Sequence, residues 1–170
     1  MNRVLRFFSL LLVALGLAPG AAHLLEMPVK LGYTPELYYA VTSTLYAFFG
    51  SAGAIIQVGA LVITGVLAFV SRGQPGAQLA VAAVVLLGVS LAAWGAFVAP
   101  VNTQWSDAIK SGADALPALY ANLRLRWEYG HAVAFVLWFA GYCCLQWFSI
   151  SSASALSRPV GGKVSRGPTQ

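Results

Sequence analysis

Four long apolar runs constrain this chain more than any other feature of its sequence. They cover residues 4–23, 45–70, 78–98 and 130–150, and a helix needs about 20 apolar residues to cross a bilayer. Apolar residues make up 59% of the chain and charged residues 9%, against about 25% charged residues in soluble domains. Since backbone groups in lipid must be satisfied internally, the sequence predicts an all-α fold, a four-helix transmembrane bundle.

The runs predict one domain over residues 1–150. Residues 151–170, rich in serine, glycine and basic residues, are typical of a disordered tail near an anionic leaflet. The glycines and proline of residues 73–76 predict a short turn, so the second and third helices should be antiparallel neighbours. From Pro117 the pattern stays helical into the fourth run, and this helix must project beyond the bilayer or tilt.

The first run also has features of a cleaved signal peptide. Arg3 and Arg6 precede its apolar centre, which ends in the small residues 20–22. We favour a retained span, because the apolar pattern continues to Met27 with few polar residues.

The distribution of charge predicts the orientation. With the N-terminus inside, the cytoplasmic segments hold six basic residues and no acid, while the outer segments hold four basic residues and all five acids. This asymmetry places both termini in the cytoplasm. The alanine-rich composition favours a bacterial inner membrane, with the outer segments in the periplasm. The inner basic residues are Arg3, Arg6, Arg72, Arg158, Lys163 and Arg166.

The formal net charge of +5 does not indicate a nucleic-acid partner, because apolar runs separate the basic residues and leave no continuous phosphate-binding face. The glycines of residues 50–59 lack a Walker lysine and instead allow close helix packing, within the bundle or in a homodimer. Cys143 and Cys144 are adjacent in a span and offer neither a disulfide framework nor a zinc site. The partners that remain are membrane lipid and a lipophilic small molecule.

Each of the two histidines lies three residues from a glutamate. His23 precedes Glu26 near the outer end of the first span, and Glu128 precedes His131 near the outer end of the fourth. Residues three apart share a helix face, and the opposite directions of the two helices bring the couples to the same depth. Because ionisable groups at the edge of the hydrocarbon are costly unless paired, we expect both couples to point into the bundle and meet.

Three interpretations of these couples stay open. In the first, the groups only fix the bundle. His23 would then pair with Glu128, and Glu26 would pair with His131 or Lys30. Arg124, four residues before Glu128, offers that carboxylate a further ion pair.

In the second interpretation, the imidazoles and carboxylates bind one first-row metal ion, such as iron, zinc or copper. A di-iron bundle would need two further glutamates, which the chain does not place nearby, so a mononuclear site is easier to build. The candidate ligands are His23, Glu26, Glu128 and His131.

In the third interpretation, no metal takes part, and a histidine and a glutamate act as general acid and base on a lipophilic molecule that arrives from the bilayer. Aromatic residues of the outer segments would then wall a pocket for an aromatic or quinone-like ligand. More often, aromatic residues at this level form only an interfacial belt. They are Tyr38, Tyr39, Trp105 and Trp127.

At these positions the chain resembles a family of small four-span membrane proteins, mostly of unknown function, that includes the fungal anthrone oxygenases. The similar motifs are residues 22–31 (AHLLEMPVKL), the Pro-Val-Asn of residues 100–102, and Arg126-Trp127 followed by His131. With the spacing of the spans, the similarity covers most of residues 1–150.

The resemblance implies oxidation of polyketide-like aromatic substrates without a dedicated cofactor, with Asn102, Trp127 and His131 at the site. Family members often carry arginine three residues after the histidine, where this chain has Ala134.

We therefore expect a membrane-embedded oxidoreductase or oxygenase that acts on a lipophilic small molecule. The histidines would be ligands or bases, the glutamates would be ligands or proton acceptors, and the asparagine would orient the substrate. The alternative is a non-enzymatic membrane subunit or helper that binds a partner protein through its outer loops; a transporter is a weaker third. The candidate site residues are His23, Glu26, Asn102, Glu128 and His131.

Overall fold

The structure, a computed structural model, describes residues 3–111 and 116–156 and has six helices within these ranges. Four segments are long and apolar enough to cross a membrane: Arg3–Lys30, Phe48–Val70, Ala77–Ala108 and Tyr120–Ser151. The predicted all-helical fold with four spans is confirmed, and the chain is an integral membrane protein. The helices are α1 (Arg3–Lys30), α2 (Pro35–Thr44), α3 (Ala47–Val70), α4 (Ala77–Phe97), α5 (Ala99–Ser111) and α6 (Leu116–Leu156).

Two helices are longer than the apolar runs that predicted them. α1 continues past residue 23 to Lys30, because helix propagation does not stop at the first polar side chain. α6 has 41 residues and is about 60 Å long, which is longer than a bilayer needs, as expected. It includes residues 151–156, the first part of the predicted tail, whereas residues 157–170 lie outside the described ranges.

The four spans form a ring in which α3 and α6 each pack against both α1 and α4. α3 and α4 are consecutive neighbours joined by the predicted turn. Gly76 ends that turn at φ 79°, a left-handed conformation that glycine adopts without a Cβ penalty.

The two short helices lie at one end of the ring, which we call the outer end. α2 contacts α3 and α6, and α5 contacts α4 and α6. The side chain of Thr34 caps α2 by accepting a hydrogen bond from the Leu37 N–H, and Pro35 starts the helix where its missing N–H costs little. Pro100 lies in the first turn of α5 for the same reason.

The inner part of the bundle is a packed apolar core around Trp138 and Leu87. Gly16 lets α1 approach α6 closely, because a Cβ built at Gly16 would lie 2.7 Å from Cζ2 of Trp138. The Trp138 indole N–H donates to the Val13 carbonyl at 2.9 Å. The outer part has a second cluster, rich in aromatic residues, and the candidate site lies beside it. Its buried members are Tyr38, Tyr46, Val98, Val101, Tyr120, Leu123 and Trp127.

Candidate functional site

The two histidines lie against each other near the outer end of the bundle. His23 on α1 is 4% exposed, and its ring centroid is 4.2 Å from that of His131 on α6. The opposite directions of α1 and α6 bring two residues that are far apart in sequence to the same depth. The structure therefore brings the imidazoles together, as the spacing predicted.

The glutamates do not join the histidines but meet at Lys30. The Lys30 ammonium lies 3.2 Å from Oε1 of Glu128 and 3.9 Å from Oε2 of Glu26. Lys30 and Glu128 are 2% and 1% exposed, whereas the Glu26 side chain is 41% exposed. Of the pairs weighed from sequence, the structure forms Glu26 with Lys30. Arg124 instead donates to the Leu31 carbonyl at 2.8 Å.

Tyr38 connects this charged cluster to the aromatic residues around it. Its hydroxyl donates to Oε1 of Glu128 at 2.9 Å, and the side chain is buried. Burial, together with the neighbouring Glu128 carboxylate, raises the pKa of the Tyr38 phenol. The phenol therefore stays a neutral hydrogen-bond donor.

Aromatic rings surround the imidazoles. The His23 ring centroid lies 4.5 Å from that of Tyr46 and 4.8 Å from that of Trp127, and the His131 centroid lies 4.2 Å from that of Trp127. Nδ1 of His23 is buried and has no hydrogen-bond partner among the described residues.

The tautomer of His131 follows from its backbone contact. Its Nδ1 lies 3.0 Å from the carbonyl oxygen of Trp127. Because a carbonyl only accepts, Nδ1 carries the proton in the neutral ring, and the lone pair is on Nε2. His131 is thus held with an acceptor nitrogen available to a ligand.

Asn102 reaches the same site from α5. Its Oδ1 accepts a hydrogen bond from the Trp127 indole N–H at 2.8 Å. This bond fixes the indole ring that lies against both histidines, so Asn102 orients Trp127 as well as facing the cavity itself.

A cavity of about 620 Å³ lies in front of the histidines, between the outer halves of the spans. Its size suits a small-molecule ligand. All four aromatic residues that we considered as either pocket walls or interfacial anchors line it: Tyr38, Tyr39, Trp105 and Trp127. None of the described lining residues is Asp, Glu, Lys or Arg. Histidine and tyrosine supply its titratable groups.

The predicted metal ligands are divided between two places. Within the described ranges, no group of three or more His, Cys, Asp or Glu side chains could hold a metal ion. The histidines face the cavity, while the ammonium of Lys30 lies where a cation beside Glu128 would have to sit. The arrangement does not fit the mononuclear metal site that the spacing suggested.

Sequence reasoning missed several residues of the site. Lys30 was considered only as one partner of Glu26, although it is the centre of the buried charge cluster. Gln57 and Ser90 line the deep part of the cavity. Gln57 donates to the Gly16 carbonyl at 3.0 Å, and Ser90 donates to the Ala134 carbonyl at 2.7 Å. Both are polar side chains inside an apolar run, and this pattern could have marked them as facing the interior of the bundle.

Comparison with known proteins gives no relative: no protein-family model, curated protein or solved structure has a significant match to this chain.

Proposed function

We propose that this protein is a membrane-embedded oxidoreductase of the oxygenase type, acting on a neutral, lipophilic, ring-containing molecule bound in the outer cavity. One observation carries the proposal: two facing imidazoles line an aromatic cavity whose described lining includes no charged side chain. A charged ligand would find no opposite charge there, whereas a flat ring would find aromatic and apolar walls.

The histidines supply the acid and base in this proposal. Nε2 of His131 is the acceptor nitrogen, because Nδ1 donates to the Trp127 carbonyl. His23, 4.2 Å away between ring centroids, stabilises or relays the proton that His131 takes up. Glu26 and Glu128 act indirectly, since they neutralise Lys30 and hold the outer ends of α1 and α6 together.

The reaction class is oxidation of an activated C–H group by dioxygen. His131 removes a proton from a CH₂ group flanked by aromatic rings, and the resulting carbanion gives one electron to dioxygen. The substrate radical and superoxide combine to a peroxide, which recovers the proton from the imidazolium. Loss of water, with removal of the second C–H proton, leaves a carbonyl. Overall, R₂CH₂ and O₂ become R₂C=O and H₂O.

The resemblance to the anthrone oxygenase family supports this reaction class. The three site residues that the resemblance implies, Asn102, Trp127 and His131, all line the cavity. Ala134, where family members often carry arginine, lines the cavity as well. A substrate with an acidic group would therefore lack a guanidinium partner at this position, which favours a neutral one.

The proposed location is a bacterial inner membrane, with both termini in the cytoplasm and the cavity on the periplasmic side. The excess of basic residues on the inner side of the bundle supports this orientation. Arg72, in the turn between α3 and α4, is exposed at the inner end.

The experiment uses protein purified in lipid nanodiscs and a neutral hydroxylated anthrone. Binding is read from quenching of tryptophan fluorescence, and turnover from oxygen consumption. His131→Ala should lower turnover by about 100-fold or more, as expected for a lost general base, with little change in thermal stability. Tyr129→Ala is the matched control, because Tyr129 is on the same helix, 56% exposed and outside the cavity lining.

Unchanged turnover in His131→Ala would contradict the assigned base. If the native protein neither binds nor oxidises the anthrone, the enzyme proposal is wrong. The alternative, a non-enzymatic helper, then gains support if changes on the exposed surface of α5 release a partner protein from the membrane extract.

A further inference from the structure

One wall of the cavity is also part of the surface of the bundle. It consists of Gly50, Ala54 and Val58 on α3 and of Leu91 and Gly95 on α4. The α3 residues are four apart, as are the α4 residues, so each set forms one helix face. Except for half-buried Leu91, these residues are exposed. Since both faces belong to membrane-spanning segments, the wall borders the hydrocarbon.

Within the described ranges, no side chain packs against the two glycines at the outer end of this wall. A Cβ built at Gly50 or at Gly95 would have no described atom within 4 Å. At Gly16 on α1, which lines the same cavity, a Cβ would lie 2.7 Å from the Trp138 ring. Gly50 and Gly95 therefore border open space, whereas Gly16 is a site of close packing.

A second observation points to a ligand in the same space. His23 lines this cavity, is 4% exposed, and has a buried Nδ1 without a hydrogen-bond partner among the described residues. A buried polar atom without a partner is costly, and a polar group on a bound molecule would satisfy the imidazole.

The cavity extends along α3. Its α3 wall runs from Phe49 to Val58, a rise of about 13 Å. The histidines and Asn102 lie toward the outer part, and small and apolar residues dominate the gap between α3 and α4. A molecule with a ring and an attached apolar chain matches this division. The chain would stay in contact with lipid hydrocarbon while the ring reaches the histidines.

We infer that the gap bordered by Gly50 and Gly95 is a lateral opening to the bilayer, and that the ligand is a ring-bearing lipid whose apolar chain lies in this gap. The inference rests on the proposed function, because it assumes that the ring is held at the histidines. Beyond the proposed function, the ligand then carries an apolar chain and enters from the bilayer, and Gly50 and Gly95 leave room for that apolar chain.

The test narrows the gap without touching the histidines. Gly50→Leu and Gly95→Leu each place a branched side chain in the opening, from different helices. Gly65→Leu and Gly88→Leu are the matched controls, since a Cβ at either position also meets no described atom within 4 Å and neither residue lines the cavity. Gly88 is two turns inward from Gly95 on the same face of α4.

Two probes differ only in the chain: a hydroxylated anthrone, and the same ring carrying a linear ten-carbon alkyl group. Binding to nanodisc-embedded protein is followed by quenching of tryptophan fluorescence. We expect Gly50→Leu and Gly95→Leu to lose affinity for the chain-bearing probe by about tenfold or more, while the chain-free ring binds within about threefold of the native protein. The two control variants should bind both probes as the native protein does.

Two results with the blocking variants would overturn the inference while leaving the proposed function intact: an equal loss of affinity for both probes, or no loss of affinity for either. A competition experiment with decanol gives a third. If decanol fully displaces the chain-bearing probe from the native protein, the gap is an acyl-chain site that needs no ring. A native protein that binds neither probe contradicts the proposed function and the inference together. Because the two blocking substitutions are on different helices, a folding failure of one leaves the other to decide.

Discussion

Replacing Lys30 by methionine tests whether the buried charge cluster holds the outer end of the bundle together. The change keeps an unbranched side chain of similar bulk but leaves the Glu128 carboxylate, 1% exposed, without the ammonium that lies 3.2 Å away. At that distance, with an effective dielectric constant of about 20, the attraction is about 5 kcal/mol. Breaking a buried ion pair by removing one partner costs about 3–5 kcal/mol. We expect the free energy of unfolding to fall by about 3–5 kcal/mol.

The assay is unfolding of the purified protein by sodium dodecyl sulfate in a mild detergent, followed by tryptophan fluorescence. The double variant Lys30→Met/Glu128→Gln should recover most of the loss, because the carboxylate that then lacks a partner, Glu26, is 41% exposed rather than buried. The glutamine can still accept the bond from Tyr38. Lys110→Met, at an exposed position of α5, is the control and should change stability little. The single variant Glu128→Gln completes the comparison. If the losses in the free energy of unfolding of Lys30→Met and Glu128→Gln simply add in the double variant, the ion pair does not stabilise the bundle as argued.

Three further predictions follow from the described contacts. Gly16→Ala should lower the free energy of unfolding by about 1–3 kcal/mol, because its Cβ meets an indole ring, whereas Gly65→Ala should not; equal stability of the two variants would contradict the packing. Tyr38→Phe should cost about 1.5–3 kcal/mol by loss of a bond to a buried carboxylate. The difference in stability between the native protein and Tyr38→Phe should be constant below about pH 10 and shrink at higher pH. The pKa of the phenol is raised in the folded state, so above about pH 10 only the unfolded native protein loses the phenol proton, and its free energy of unfolding falls. In a cysteine-free background, Glu36→Cys should react with a membrane-impermeant maleimide added to intact cells and Arg72→Cys should not; the reverse labelling would invert the topology.

The spans and the depth of the polar couples could be predicted from sequence, because both depend on local patterns. The length of an apolar run defines a span, and a three-residue spacing places His23 and Glu26 on one face of α1. The ends of the helices were less predictable. α1 continues to Lys30, and Lys30 is the residue that pairs with both glutamates.

Which side chains meet was decided by the tertiary structure. Within each couple the histidine faces the cavity and the glutamate faces Lys30, although both share a helix face in sequence terms. The choice depends on the rotation of α1 and α6 about their axes and on bulky neighbours such as Trp127. Neither the rotation of a helix nor the neighbours it packs against can be deduced from the spacing of residues along the chain.

The sequence by itself determined a four-span membrane protein with two histidines at one depth, because hydropathy and helical spacing act over a few turns. The tertiary structure decided that the histidines share a cavity, that both glutamates pair with Lys30, and that Gly50 and Gly95 border open space. These features arise where α1, α3, α4 and α6 pack together, and the packing of side chains from distant segments cannot be read from any one of them.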